Sequence, residues 1–169
     1  MIALLFSEVR VSSVADTPVL LLREAEGVRS LAVWITAAGA NAVLSALEDS
    51  DPQHPATHDL VLRMLASAGR AIDAAHLTGV NEGVYDAQIV VAGQAVNARV
   101  SDAVALALRC GAPILATEAL MQTAGVGAAP SPEGEPAEAG DLSDEQLARF
   151  RAFLDSINPE DFHGGDPQP

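Results

Sequence analysis

The sequence predicts an α+β domain: a mostly antiparallel, curled or barrel-like sheet from a duplicated β-β-β-α unit, with helices packed on one side. Three observations predict it. Apolar residues alternate over several short stretches, as half-buried strands require. The element order β-β-β-α-α is followed by β-β-β-α-β-α. "VWITAAGANAV" in the first half also loosely matches "NARVSDAVALA" in the second.

Taken in order, "IALLFSEVRVSS" reads as an extended strand ending near Ser12 and Ser13. "TPVLLLREAEGVRSLAVWIT" reads as a hairpin with apolar runs Val19–Leu22 and Leu31–Ile35. Its turn falls at Glu26–Gly27, where glycine permits positive φ. Trp34, within the second run, is expected in the core. Ala40, Val43, Leu44 and Leu47 then recur at helical spacing, with Thr36 as N-cap. "SDPQHPA" interrupts with two prolines, and a second helix runs from Thr57 to about Gly69, its apolar stripe formed by Val61, Met64, Leu65 and Ala68. "AIDAAHLTGV", "GVYDAQIVVAG" and "QAVNARV" alternate as three strands, with turns at Asn81–Gly83 and Gly93. The helix "SDAVALALRCG" stops at Gly111 with Arg109 in its last turn. "APIL" is a short strand and "TEALMQTAG" a short helix.

The chain has 169 residues, enough for one domain with a tail. Its hydrophobic fraction is 49% but only 4% is aromatic, so Ala, Val and Leu must build the core. The domain is expected over residues 1–125. Residues 126–141 read as a flexible acidic Gly/Pro/Ala linker. Residues 142–157 read as an amphipathic helix, with Ser143 and Gln146 as a capping box and Leu147, Phe150, Phe153 and Leu154 as its stripe. Residues 158–169 read as a disordered tail. No apolar window is long enough to cross a bilayer, and the N-terminus lacks the basic start of a signal peptide, so a cytoplasmic protein without membrane contact is expected. Cys110 is the single cysteine, which excludes an internal disulfide; it reads as a small core residue.

The formal net charge is −14. Residues 1–125 hold 7 Arg against 13 Asp and Glu, and residues 126–169 hold 2 Arg against 10. Even the body therefore lacks the basic balance that gripping a phosphate backbone usually requires, which counts against a nucleic-acid partner. Nor do the aromatics suggest a stacking platform, since Trp34 and Tyr85 are the only large amphipathic ones.

Two stretches carry the chemistry. "ATHDLVLRML" and "ARVSDAVALAL" each place a hydroxyl residue and an aspartate at a helix start. One account is local: Thr57 and Ser101 cap the helices, Asp59 and Asp102 favour the positive end of the helix dipole, and Asp59 pairs with Arg63 four residues on. The other account is functional. Asp59 and Asp102 would meet in one cleft and hold Mg²⁺ or Mn²⁺ through oxygen ligands, with His58 as acid/base. Arg109, seven residues after Asp102 and on the same helix face, would neutralise phosphate. His54 and His58 are four apart, but Pro55 puts His54 outside the helix and weakens a zinc reading. His76 and His163 read as structural and as part of the tail. There is no G-x-S-x-G, no phosphate loop and no dinucleotide fingerprint.

"PVLLLREAEGVRSLAVWIT", "HPATHDLVLRML" and "NARVSDAVALALRCGAPILATEALMQTAG" together resemble the bifunctional nuclease family, over roughly residues 1–125. The helix ending in "NPEDF" resembles the extension of actinobacterial members. The resemblance implies a self-associating α+β domain, a homodimer or higher homo-oligomer, active on RNA and DNA. Thr57, His58 and Asp59 match its first motif; Ser101, Asp102 and Arg109 match its second. Three positions depart from the family pattern: His54 replaces a basic residue, Val100 a proline and Gly39 a glutamate. The loss of that carboxylate and that basic residue weakens a metal-and-phosphate site here.

Two functions follow. The first is a metal-assisted nuclease with little sequence preference: His58, Asp59 and Asp102 catalytic, Asp59 and Asp102 on Mg²⁺ or Mn²⁺, and Thr57, Arg99, Ser101 and Arg109 holding substrate. The second is a non-catalytic oligomeric module whose apolar faces, with the acidic helix 142–157, bind a protein partner.

Overall fold

Leu20 and Leu22 face Val33 and Leu31 across one antiparallel strand pair, and all four are buried. Each full burial of this kind stabilises by about 1.5–3 kcal/mol, so the alternation read in the sequence becomes one face of a sheet. A computed structural model describes residues 1–11 and 17–127 of the chain. Ser12 and Ser13, and the expected linker, helix and tail beyond residue 127, lie outside the described residues.

The elements are β1 (Ile2–Val11), β2 (Pro18–Glu24), β3 (Arg29–Trp34), α1 (Ala37–Ser45), α2 (Thr57–Ser67), β4 (Ile72–Asn81), β5 (Val84–Val91), β6 (Gln94–Ala98), α3 (Val100–Cys110), β7 (Ile114–Ala116), α4 (Glu118–Ala124) and β8 (Gly125–Gly127). The eight strands form one sheet in the order β6-β5-β4-β7-β1-β2-β3-β8. Two three-strand meanders therefore flank β7, each turning its first strand inward, as expected of a duplicated β-β-β unit. Every pairing is antiparallel except β4 with β7. The sheet is open, with β6 and β8 at its edges. β8 carries the ordered sheet past the expected linker boundary at residue 126, pairing Gly125–Gly127 with Leu31–Arg29.

Both turns expected in the second meander are two-residue loops with positive φ. Glu82 and Gly83 stand at 50° and 81°, and Ala92 and Gly93 at 51° and 74°. This left-handed pair matches the twist of the flanking strands.

The helices are set by α3. Seven of its residues are buried, including Ala103, Ala105 and Ala107, and these small side chains let neighbours approach closely. Ala40 and Val43 of α1, together with Leu120 and Met121 of α4, join the strand residues in one core. Gly111 ends α3 in the left-handed conformation at φ 69°. Thr36 caps α1 as expected, its hydroxyl accepting from Gly39 N at 3.1 Å.

Several expectations fail because position within the element outweighs residue type. Trp34 is 60% exposed, because Leu31, Val33 and Ile35 take the inward positions and the strand period turns Trp34 outward. On α2 the buried residue is Asp59, whereas Leu60, Val61 and Met64 are exposed. Cys110, at the end of α3, is exposed rather than in the core. Among the described residues no helix is long and apolar enough to cross a membrane.

Candidate active site

The two helix starts come together, though their hydroxyl residues do not cap them. The cap of α2 is Ala56 and that of α3 is Arg99, and neither makes a side-chain capping bond. Thr57 is exposed on the first turn of α2. Ser101 is buried, and a Cβ built on Gly39 would meet its Oγ at 2.8 Å and its Cβ at 2.9 Å. Gly39 thus lets α1 close on the start of α3. The position that departs from the family pattern is filled by contact, with no room for a carboxylate.

Across the seam between α2 and α3, His58 Nε2 lies 3.1 Å from Asp102 Oδ1. Arg99 grips the same carboxylate, Nε donating to Oδ2 at 2.6 Å and Nη2 to Oδ1 at 3.2 Å. Burial alone would push the Asp102 carboxyl up. The hydrogen bonds and charges of Arg99 and His58 outweigh it and hold the pKa below the ordinary carboxylate value. The Arg99 guanidinium, correspondingly, is raised by its bonds to Asp102. Arg99 is 72% exposed while His58 and Asp102 are largely sheltered, so the group open to solvent is a cation backed by a His–Asp pair.

Asp59 turns elsewhere. Its Oδ1 accepts from Arg109 Nη1 at 2.8 Å, and Arg109 Nη2 donates to the Ser45 carbonyl at 2.7 Å. The expected Asp59–Arg63 pair is absent from the described bonds; Arg63 donates to the Pro52 and Asp51 carbonyls instead. The long reach from α3 wins because it satisfies a buried carboxylate, whereas Arg63 sits on the exposed face.

Asp59 and Asp102 are therefore each engaged by their own arginine. Among the described residues no three His, Cys, Asp or Glu side chains gather into a cation site. Mg²⁺ and Mn²⁺ favour an octahedron of oxygens, and these residues do not fit a protein-built cage of that kind. His54 lies outside α2, bonded to Asp51, as Pro55 implied.

The model of the bifunctional nuclease domain matches residues 20–129, a span that holds Gly39, His58, Asp59, Arg99, Asp102 and Arg109. The chain belongs to the bifunctional nuclease domain family. Two proteins of Mycobacterium tuberculosis are similar to it: Uncharacterized protein MT1877 of strain CDC 1551 / Oshkosh and Uncharacterized protein Rv1829 of strain ATCC 25618 / H37Rv. Each is 37% identical over 155 residues, covering 91% of this chain and 93% of its own length.

For this family member, the residues named from sequence form two clusters, with Thr57 and Ser101 outside both. His58, Asp102 and Arg99 meet at the surface; Asp59 and Arg109 meet in the interior, and Ser101 packs against Gly39. The Ser45 carbonyl, the Gly39 contact and the exposure of Trp34 are not among the expectations from sequence. Gly39 had a signal, since a glycine within a helical pattern marks close approach. Trp34 had one too, in the alternation of β3. The Ser45 contact had none, because a backbone carbonyl carries no sequence signature.

Proposed function

We propose that this protein cleaves phosphodiester bonds of RNA and DNA through His58, Asp102 and Arg99. The observation that carries this reading is the 3.1 Å contact of His58 Nε2 with Asp102 Oδ1, on a carboxylate that also holds an exposed arginine. In the tautomer that donates Nε2–H to Asp102, Nδ1 is the basic nitrogen. Nδ1 takes a proton from water as the water oxygen bonds to phosphorus. The P–O bond to the leaving oxygen then breaks, and that oxygen receives the proton from His58. Asp102 orients the imidazole and offsets its charge, as in other carboxylate–imidazole pairs. Nε and Nη2 of Arg99 are committed to Asp102, which leaves Nη1 for a phosphate oxygen. A contact to phosphate carries no base information, in keeping with little sequence preference.

In this reading Asp59 and Arg109 are positioning residues that hold α2 against α3, not metal ligands or phosphate ligands. Thr57 is at hand on the exposed first turn, and Ser101 acts through packing. Mg²⁺ or Mn²⁺ would arrive with the substrate phosphate rather than be held by a cage of the chain's own carboxylates, and no step here depends on it.

The test uses end-labelled single-stranded RNA and DNA, with Mg²⁺, with Mn²⁺ and with EDTA. His58→Ala and Asp102→Asn should each lose roughly 100-fold or more in rate, the range of general acid–base catalysis. Cleavage equal to wild type in both variants would assign the activity to a contaminant and end the proposal.

The exposed Leu60, Val61 and Met64 of α2 favour a second reading, a homo-oligomeric interaction module. Light scattering of wild type and Met64→Glu separates the two: a dimer lost in the variant with cleavage unchanged makes that face an interface only.

A further inference from the structure

The end of β3 and the start of α3 enclose a cleft of about 240 Å³, lined by Trp34, Thr36, Val84, Tyr85, Arg99 and Ser101 among others. We propose that this cleft holds one unpaired nucleobase, stacked on the Trp34 indole, and so restricts the protein to single-stranded nucleic acid. The inference rests on the proposed function, because Arg99 is shared between the cleft and the His58–Asp102 pair.

Four features support it. Trp34 shows 60% of its surface at the end of a strand whose neighbours Val33 and Ile35 are buried, so a rigid element presents the ring. An exposed indole needs a partner of its own kind, and every base has a π-face to offer. The opposite wall is fixed as well: Tyr85 OH donates to the Ala32 carbonyl at 3.0 Å, tying the β4–β5 hairpin to β3 beside Trp34. Burial pushes the Tyr85 hydroxyl up, so it stays a donor. Volume narrows the occupant. The cleft falls short of the roughly 300–1,000 Å³ of sites for drug-sized ligands, which suits one flat ring better than a whole cofactor.

Charge then selects among flat rings. Among the described residues Arg99 is the one cation in the lining, and its Nη1, not engaged by Asp102, favours a ring attached to an anion. A base joined to phosphate meets both walls; a tryptophan or phenylalanine from a second copy meets only one. Paired bases are stacked on their neighbours within a duplex, so only an unpaired base reaches the indole. The acidic balance of the chain opposes single-stranded and duplex backbones alike, so the stack must carry most of the binding. Stacking with a single arginine contact needs little of the counterion release that drives binding to duplex backbones.

Trp34 is the sole tryptophan, which makes intrinsic fluorescence a reporter of this one site. The full chain carrying His58→Ala is titrated with a short oligodeoxythymidylate, its blunt duplex with oligodeoxyadenylate, and inorganic phosphate. The single strand should quench the emission, with the duplex and phosphate leaving it unchanged. In a parallel anisotropy titration, Trp34→Ala should weaken single-strand binding roughly 5- to 150-fold, the span of one base stack, and Trp34→Phe should recover part of the loss. Equal quenching by duplex, or unaltered affinity in Trp34→Ala, overturns the inference. So does emission that shifts on dilution of the protein while ignoring the oligonucleotide, which would put a second copy in the cleft. Quenching without cleavage in wild type would sink the nuclease reading and leave the base site standing; cleavage without quenching would do the reverse.

Discussion

Asp59 and Arg109 form an ion pair at 2.8 Å with side chains only 11% and 8% exposed, and they join the first turn of α2 to the last turn of α3. Ser45, the last residue of α1, is drawn in through its carbonyl, so one guanidinium ties three helices. The pair does not stand at the surface. It fixes the neighbour of Asp59, His58, against Asp102.

Removing either partner leaves a buried charge unmatched, at a cost of about 3–5 kcal/mol. Folded domains hold only about 5–15 kcal/mol in reserve. Asp59→Ala and Arg109→Ala should therefore each lose that much in urea denaturation. The double variant should lose less than the sum, because neither charge is then stranded. Arg109 Nε, buried with no hydrogen-bond partner among the described residues, already carries some of the cost of this arrangement. Single variants that lose under 1 kcal/mol would show the pair to be incidental.

Gly39→Ala tests the contact between α1 and α3. Within a helix, alanine is ordinarily the better residue by about 1 kcal/mol. Here the added carbon would stand 2.8 Å from Ser101 Oγ and 2.9 Å from its Cβ. Overpacking of this kind costs about 1–3 kcal/mol, so the clash should win and stability fall. Ser101→Ala removes only the nearer atom and should rescue little; Ser101→Gly should rescue more. If Gly39→Ala raises the thermal midpoint, α1 and α3 are not in tight contact.

How much of this was legible in the sequence depends on the kind of signal. The turns at Asn81–Gly83 and Gly93, the stop at Gly111 and the Thr36 cap rest on backbone conformations that few residues allow, and all four stand where expected. His58, Arg99 and Asp102 were legible as candidates because polar residues at the edge of apolar runs are conspicuous. What they touch was not legible, since their spacing along the chain says nothing of the seam between α2 and α3. Residue type misled in two places. Trp34 and Cys110 are core residues by chemical habit, but the alternation of β3 and the end of α3 place them outside.

The exposure of Cys110 has a direct consequence. Its sulfur donates weakly to the Ala107 carbonyl at 3.8 Å. The native protein should therefore titrate one thiol per chain with a disulfide reagent, at a rate little changed by adding denaturant. A thiol that reacts only after unfolding would return Cys110 to the interior.

Acid should weaken the fold through Asp102. Asp102 is held below the ordinary carboxylate value in the folded state, as burial is outweighed by Arg99 and His58. In the unfolded chain it returns to about 3.9. A carboxyl with a depressed folded pKa adds stability that is fully present above the unfolded value and is lost as pH falls through the folded one. Because Arg99 is mostly exposed, the contribution is of the order of 1 kcal/mol. Asp102→Asn should thus melt about 2–4 °C below wild type at neutral pH. The gap should hold down to about pH 4 and close below it as Asp102 takes up its proton. Protonation also frees Arg99 and leaves His58 without its carboxylate. A melting gap that is constant with pH, or that widens in acid, would mean that neither Arg99 nor His58 stabilises the Asp102 carboxylate in solution. The contact on which the site rests would then be lost.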